Sequence, residues 1–121
     1  MSIVEEIRTK YRILRELHNW KYGFCDVACK EVLQYYPHLI PIKMYLENGK
    51  EELWHMILYD PISRAIIDPT SDQFGISKWF FNSLEEWISE YKKKGWRPYL
   101  ATLSIPYTSL HTYRRNMVSR T

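Results

Sequence analysis

The sequence predicts an α+β domain in which two helices precede a small antiparallel sheet and a third helix precedes its last strand. Three observations predict it. Apolar residues recur at helical steps across the first 36 positions and again over 83–94. Between them, three short apolar runs are separated by Asn48-Gly49 and Asp60-Pro61, both turn signals. One of those runs, LWHMILY at 53–59, is apolar on both faces, as a central covered strand would be.

The first element is an amphipathic helix over 3–17, with Ile3, Val4, Ile7, Tyr11, Leu14 and Leu17 inward and Glu5, Glu6, Arg8, Arg12 and Arg15 between them. HNWKYG breaks the period, and a second helix starts near Phe24 or Cys25. Its inward stripe is Cys25, Ala28, Cys29, Val32, Leu33 and Tyr36, closed by Pro37 and Pro41. Strands follow at about 40–46, 53–59 and 64–68, then an ordered loop, DPTSDQFGISKWFF. A third helix spans 83–94 with Leu84, Trp87, Ile88 and Tyr91 inward; Gly95 ends it, and WRPYLATL supplies a fourth strand. Beyond Pro106 there is no clear period.

The 121 residues suit one domain with one core. Residues 1–121 are read as that domain, with 107–121 as a flexible basic tail. Hydrophobic residues at 45% and charged residues at 26% match ordinary globular usage, which argues against wholesale disorder. No run reaches the roughly 20 apolar residues of a membrane span, and the charged start MSIVEEIRTK is no signal peptide. The expectation is a soluble, cytoplasmic protein, with delivery into another cell or host left open. The net charge of +3 comes from Arg114, Arg115 and Arg120 in the tail, where a solvated terminus is commoner than a nucleic-acid arm. Cys25 and Cys29 are four apart on one helix, a poor geometry for a disulfide, so reduced thiols are expected.

The hairpin count brings two chemical groups together. If a tight turn at Asp60-Pro61 pairs Tyr59 with Arg64, then Ile57 pairs with Ile66 and His55 with Asp68. An imidazole and a carboxylate then share one face, and a slip by one residue would separate them. Asp68 could hold one ring nitrogen and leave the other as base to a thiol. Cys25 is that thiol: it opens a helix, where free N–H groups and the dipole favour an anion, and its stripe faces the strand layer.

GFCDVACKEVLQYY, LWHMILYD and RAIIDPTSDQF, in that order, resemble the papain-like and transglutaminase-like cysteine hydrolases, above all compact papain-fold toxin or effector domains. The resemblance covers about residues 20–75. It implies a papain-like core, with Cys25 as nucleophile, His55 as general base and acid, and Asp68 as the orienting residue. It implies a thiol-dependent amide hydrolase or acyltransferase working through a thioester, whether peptidase, deamidase or transglutaminase, on a protein or peptide substrate and without a cofactor. Members often supply a Gln upstream of the nucleophile as oxyanion donor, and none precedes Cys25 here. Asn19 is the candidate in its place, and Trp20 and Tyr22 are candidates for lining a substrate cleft.

Plainer roles are set beside these. Cys29 reads as core filler. His18, His38 and His111 read as surface or boundary residues. A zinc site from Cys25, Cys29 and His55 lacks a fourth ligand and ranks below the triad. Trp54, Trp79, Phe80, Phe81 and Trp87 are expected to pack. Two other functions stay open: a catalytically silent protein-binding or inhibitory module, and a disfavoured nucleic-acid binder using Arg114, Arg115 and aromatic stacking.

Overall fold

The computed structural model describes residues 2–103 and is α+β, built from three helices and a five-stranded antiparallel sheet. The order is α1 (Ile3–His18), α2 (Cys25–Tyr35), β1 (Ile40–Glu47), β2 (Glu52–Tyr59), β3 (Ile66–Ile67), a 3-10 turn (Ser71–Phe74), β4 (Phe80–Phe81), α3 (Leu84–Lys93) and β5 (Arg97–Leu103). The tail at 107–121, with His111, Arg114, Arg115 and Arg120, lies outside the described residues. Among the described residues no helix is long and apolar enough to cross a membrane.

Local chemistry sets the ends of α1 and α3. The Ser2 hydroxyl accepts the Glu5 N–H at 3.1 Å, and the Ser83 hydroxyl accepts that of Glu86 at 3.1 Å. Each helix carries two acids in its first turn and bases in its last, complementing the dipole. Asn19, left-handed at φ 56°, closes α1 by giving its backbone N–H to the carbonyls of Arg15 and Glu16.

The strand order is β4-β3-β2-β1-β5, which puts β2 at the centre. Successive residues of β2 enter different cores. Leu58 joins Val4, Ile7, Tyr11, Ala28, Cys29 and Val32 under α1 and α2, whereas Ile57 joins Met44, Phe74, Trp87 and Tyr91 under α3. That alternation is why LWHMILY is apolar on both faces.

Three details differ from the sequence-based expectations. The second hairpin pairs Tyr59 with Ile66 and Leu58 with Ile67, two residues away from the predicted register. Asp60 causes the shift: its carboxylate accepts the Ile62 N–H at 2.9 Å, and its carbonyl accepts that of Arg64 at 2.7 Å. Arg64 takes φ 67°, so the chain winds through one extra turn before pairing resumes. Second, β3 is two residues long, and the segment expected as loop supplies β4, which pairs with it through Ile66↔Phe81 and Ile67↔Phe80. Third, α2 stops at Tyr35, which leaves Tyr36 exposed rather than inward, Leu17 in the last turn of α1 is 75% exposed rather than inward, and Trp54 and Phe80 are 47% and 45% exposed rather than packed away.

Candidate active site

The fold brings His55 and Asp68 together despite the changed register. Continuing the observed pairing sets Asp68 beyond the end of β3, opposite Ile57 rather than His55. Two residues along an antiparallel pair is a diagonal neighbour on the same face, within reach of a long side chain. His55 Nε2 lies 2.8 Å from Asp68 Oδ1, with side-chain exposures of 1% and 0%. The even slip kept both groups on the α3 side.

Asp68 is fixed from three directions. Its backbone N–H donates to the Trp79 carbonyl at 2.8 Å, and its carbonyl accepts from the Arg8 guanidinium, which also donates to Pro69 O and Ser71 Oγ. Its other carboxylate oxygen, Oδ2, accepts Trp87 Nε1–H at 2.8 Å and the Tyr91 hydroxyl at 2.5 Å. Trp87 and Tyr91 are one turn apart on α3 and both fully buried.

Cys25 is the first residue of α2 and is half-buried. Phe24 before it sits at φ 71°, where a bulky residue is strained, and gives the helix no side-chain cap. The first helical bond runs from the Ala28 N–H to the Phe24 carbonyl, so the N–H groups of Cys25, Asp26 and Val27 have no acceptor within the helix. Two bonds hold the approach: Gly23 N–H donates to Gln73 Oε1 at 2.9 Å, and Arg15 spans the Gly23 carbonyl at 3.4 Å and Asp72 Oδ2 at 2.8 Å. Gly23 itself has φ 146°, and a Cβ there would meet the Trp20 ring at 3.4 Å.

The electrostatics separate the two thiols. Burial pushes the Cys25 thiol up, but the influence of the His55 ring, helped by the Met56 backbone N–H donating toward the sulfur, outweighs it and leaves the pKa below its ordinary value. Cys29 is wholly buried, its Sγ–H donates to the Met56 carbonyl at 3.4 Å, and burial with the Asp68 charge drives its pKa well up. His55 is opposed by burial yet raised to about 10 by the Asp68 carboxylate and Cys25. Asp68, also opposed by burial, is held below its ordinary value by His55, Tyr91 and Trp87. His55 Nδ1 is buried and has no hydrogen-bond partner among the described residues, so it is the ring nitrogen still open to a further partner, and Cys25 is the thiol whose charge couples to this ring.

The other sequence candidates are placed differently. Asn19 is exposed at the end of α1, and among the described residues no hydrogen bond joins its amide to Cys25 or His55. Trp20 is 52% exposed in the loop that leads into α2 and stacks on His18 and Phe24. The Tyr22 ring stacks on Phe74 and meets Trp96 edge-on, and its hydroxyl donates to Glu51, so it belongs to the core wall more than to an open cleft. His38 lies on the surface, 3.6 Å from Asp60. Among the described residues no group of three or more His, Cys, Asp or Glu side chains is arranged to hold a metal ion.

Sequence reading missed Arg8, Arg15, Gln73, Trp87 and Tyr91 as parts of this neighbourhood. A signal existed for two of them: Arg8 and Arg15 flank Tyr11 at helical steps, in line with the buried stripe, and Arg15 ends 5% exposed. Compared with protein-family models, characterised proteins and solved structures, the chain matches none.

Proposed function

We propose that this chain is a thiol-dependent amide hydrolase or acyltransferase with a papain-like core, using Cys25, His55 and Asp68. The observation that carries the proposal is the buried His55: Nε2 is engaged by a fixed carboxylate at 2.8 Å, and Nδ1 is left for the thiol at an uncapped helix start. The succession of Cys-bearing helix, His-bearing strand and following Asp supports the papain-like or transglutaminase-like assignment. A protein or peptide supplies the amide.

In the first step the Cys25 thiolate attacks the carbonyl carbon, and the oxyanion forms beside the free N–H groups that open α2. The Nδ1 proton of His55 passes to the leaving amine, the C–N bond breaks, and a thioester remains. In the second step His55 takes a proton from water, hydroxide adds to the thioester, and the acid departs as the Cys25 thiolate reforms. An amine in place of water gives a new amide; a glutamine side chain as first substrate gives deamidation.

The ion pair exists from the lowered pKa of Cys25 up to that of His55, about 10. Iodoacetamide labelling across pH tests this. Cys25 should be alkylated rapidly below pH 7 in wild type and in Cys29→Ala, and Cys25→Ala should abolish both this labelling and thioester capture of an amide peptide. Labelling that follows an ordinary thiol of pKa ~8.5 would sink the proposal.

A further inference from the structure

The carboxylate of Asp68 has two oxygens, and only one of them touches His55. Oδ2 is occupied by two donors from α3, Trp87 Nε1–H at 2.8 Å and Tyr91 Oη–H at 2.5 Å. His55, Asp68, Trp87 and Tyr91 are each at most 1% exposed, so water does not substitute for either donor. A carboxylate left with a bare second oxygen could swing about its χ2, offer either oxygen to the ring, or draw the imidazole into a shared contact. Two donors on one oxygen remove that freedom.

We infer that Trp87 and Tyr91 are positioning residues of this site: by filling Oδ2 they confine His55 to Oδ1 and hold the imidazole with Nδ1 turned toward Cys25. The inference rests on the reading of Cys25, His55 and Asp68 as one catalytic unit. The arrangement around the ring agrees with it. The Tyr91 oxygen lies 3.2 Å from His55 Nε2 and, with its O–H directed at Asp68, presents a lone pair to the Nε2–H. The Trp87 ring lies parallel to the imidazole, 6° apart in plane, while Phe74 meets it edge-on at 4.9 Å. A ring turned over would lose both Nε2 acceptors and present carbon to Asp68.

The ionisable groups facing this cluster are few. From α2 come Cys25, Cys29 and Asp26; from α1 Arg8, whose charge reaches Tyr91; from α3 Tyr91 itself. Burial and the Asp68 charge raise Tyr91 well above its ordinary value, so it remains a neutral donor throughout the working range.

Tyr91→Phe and Trp87→Phe each delete one donor and keep an aromatic ring in the core. The readout is the pH profile of Cys25 alkylation, with Trp96→Phe as a control that alters the same core without a bond to Asp68. The expected result is that the acid limb of Cys25 reactivity rises by about one pH unit in each donor variant, a roughly tenfold slower rate at pH 6, and stays put in Trp96→Phe. Thermal melts verify folding, and either donor variant suffices alone. In wild type, the Trp87 indole N–H should be the slowest of the five indole protons to exchange with solvent; rapid exchange there overturns the inference without any variant. Unchanged profiles in both donor variants, with wild-type Cys25 still reactive at pH 6, remove this inference alone. An ordinary thiol in wild type removes the proposed function with it.

Discussion

The helices of this protein begin in two ways. α1 and α3 start with a serine whose hydroxyl takes a backbone N–H and with two acids in the first turn. α2 starts with Phe24 in a left-handed conformation, no side-chain cap, and a cysteine as its first residue. The first two follow local preference and need nothing else to explain them. The third is held from outside, by Arg15 and Gln73 on the residue before Phe24 and by the packing of the Phe24 ring against Tyr11 and Trp20. Where local rules are broken and the surroundings compensate, a functional constraint is the usual reason. Here the departure leaves free N–H groups beside the one thiol whose pKa is lowered.

The comparison is broken most severely at His55. If the open helix start alone activated Cys25, His55→Ala would leave its alkylation at pH 6 unchanged. The charge coupling says otherwise, and the rate should drop at least about tenfold, with Cys29 unreactive in both proteins.

Next in size is the outside support of α2. Arg15→Met strands the Asp72 carboxylate, whose Oδ1 already has no partner among the described residues, and frees the Gly23 carbonyl. Loss of a fully buried partner costs about 3–5 kcal/mol. Asp72 keeps 20% exposure, so about 2–3 kcal/mol of unfolding free energy is expected, read by urea titration, together with slower Cys25 labelling.

The smallest effect sharpens the contrast from the other side. Ser83→Ala removes an ordinary cap and should cost about 1 kcal/mol while leaving the Cys25 pH profile where it was. The Asn82 bonds to Glu86 still hold that first turn. A shifted profile there would mean that α1, α2 and α3 do not differ in the way described.

Much of this was legible in the residues. Helical steps placed α1, α2 and α3, the turn signals placed both hairpins, and LWHMILY identified the central strand. The pairing of His55 with Asp68 was read from a register that proved two residues off, yet the contact stands. The side-chain period of a strand is two, so an even slip leaves every residue on its face, whereas a slip of one would have sent Asp68 to the α1 and α2 side. Trp87 and Tyr91 were visible only as inward aromatics. Nothing along the chain says which buried acceptor an indole N–H or a phenol will find when that acceptor is 19 or 23 residues away.

By itself, then, the sequence determined the three helices, the central strand, most of their inward faces and the candidate trio, because periodicity and turn chemistry act over a few residues. Tertiary structure decided the hairpin register through the Asp60 turn, the strained entry to α2 through Arg15 and Gln73, and which nitrogen of His55 meets Asp68. Those outcomes depend on hydrogen bonds between distant segments, whose geometry exists only once both faces of the sheet are packed.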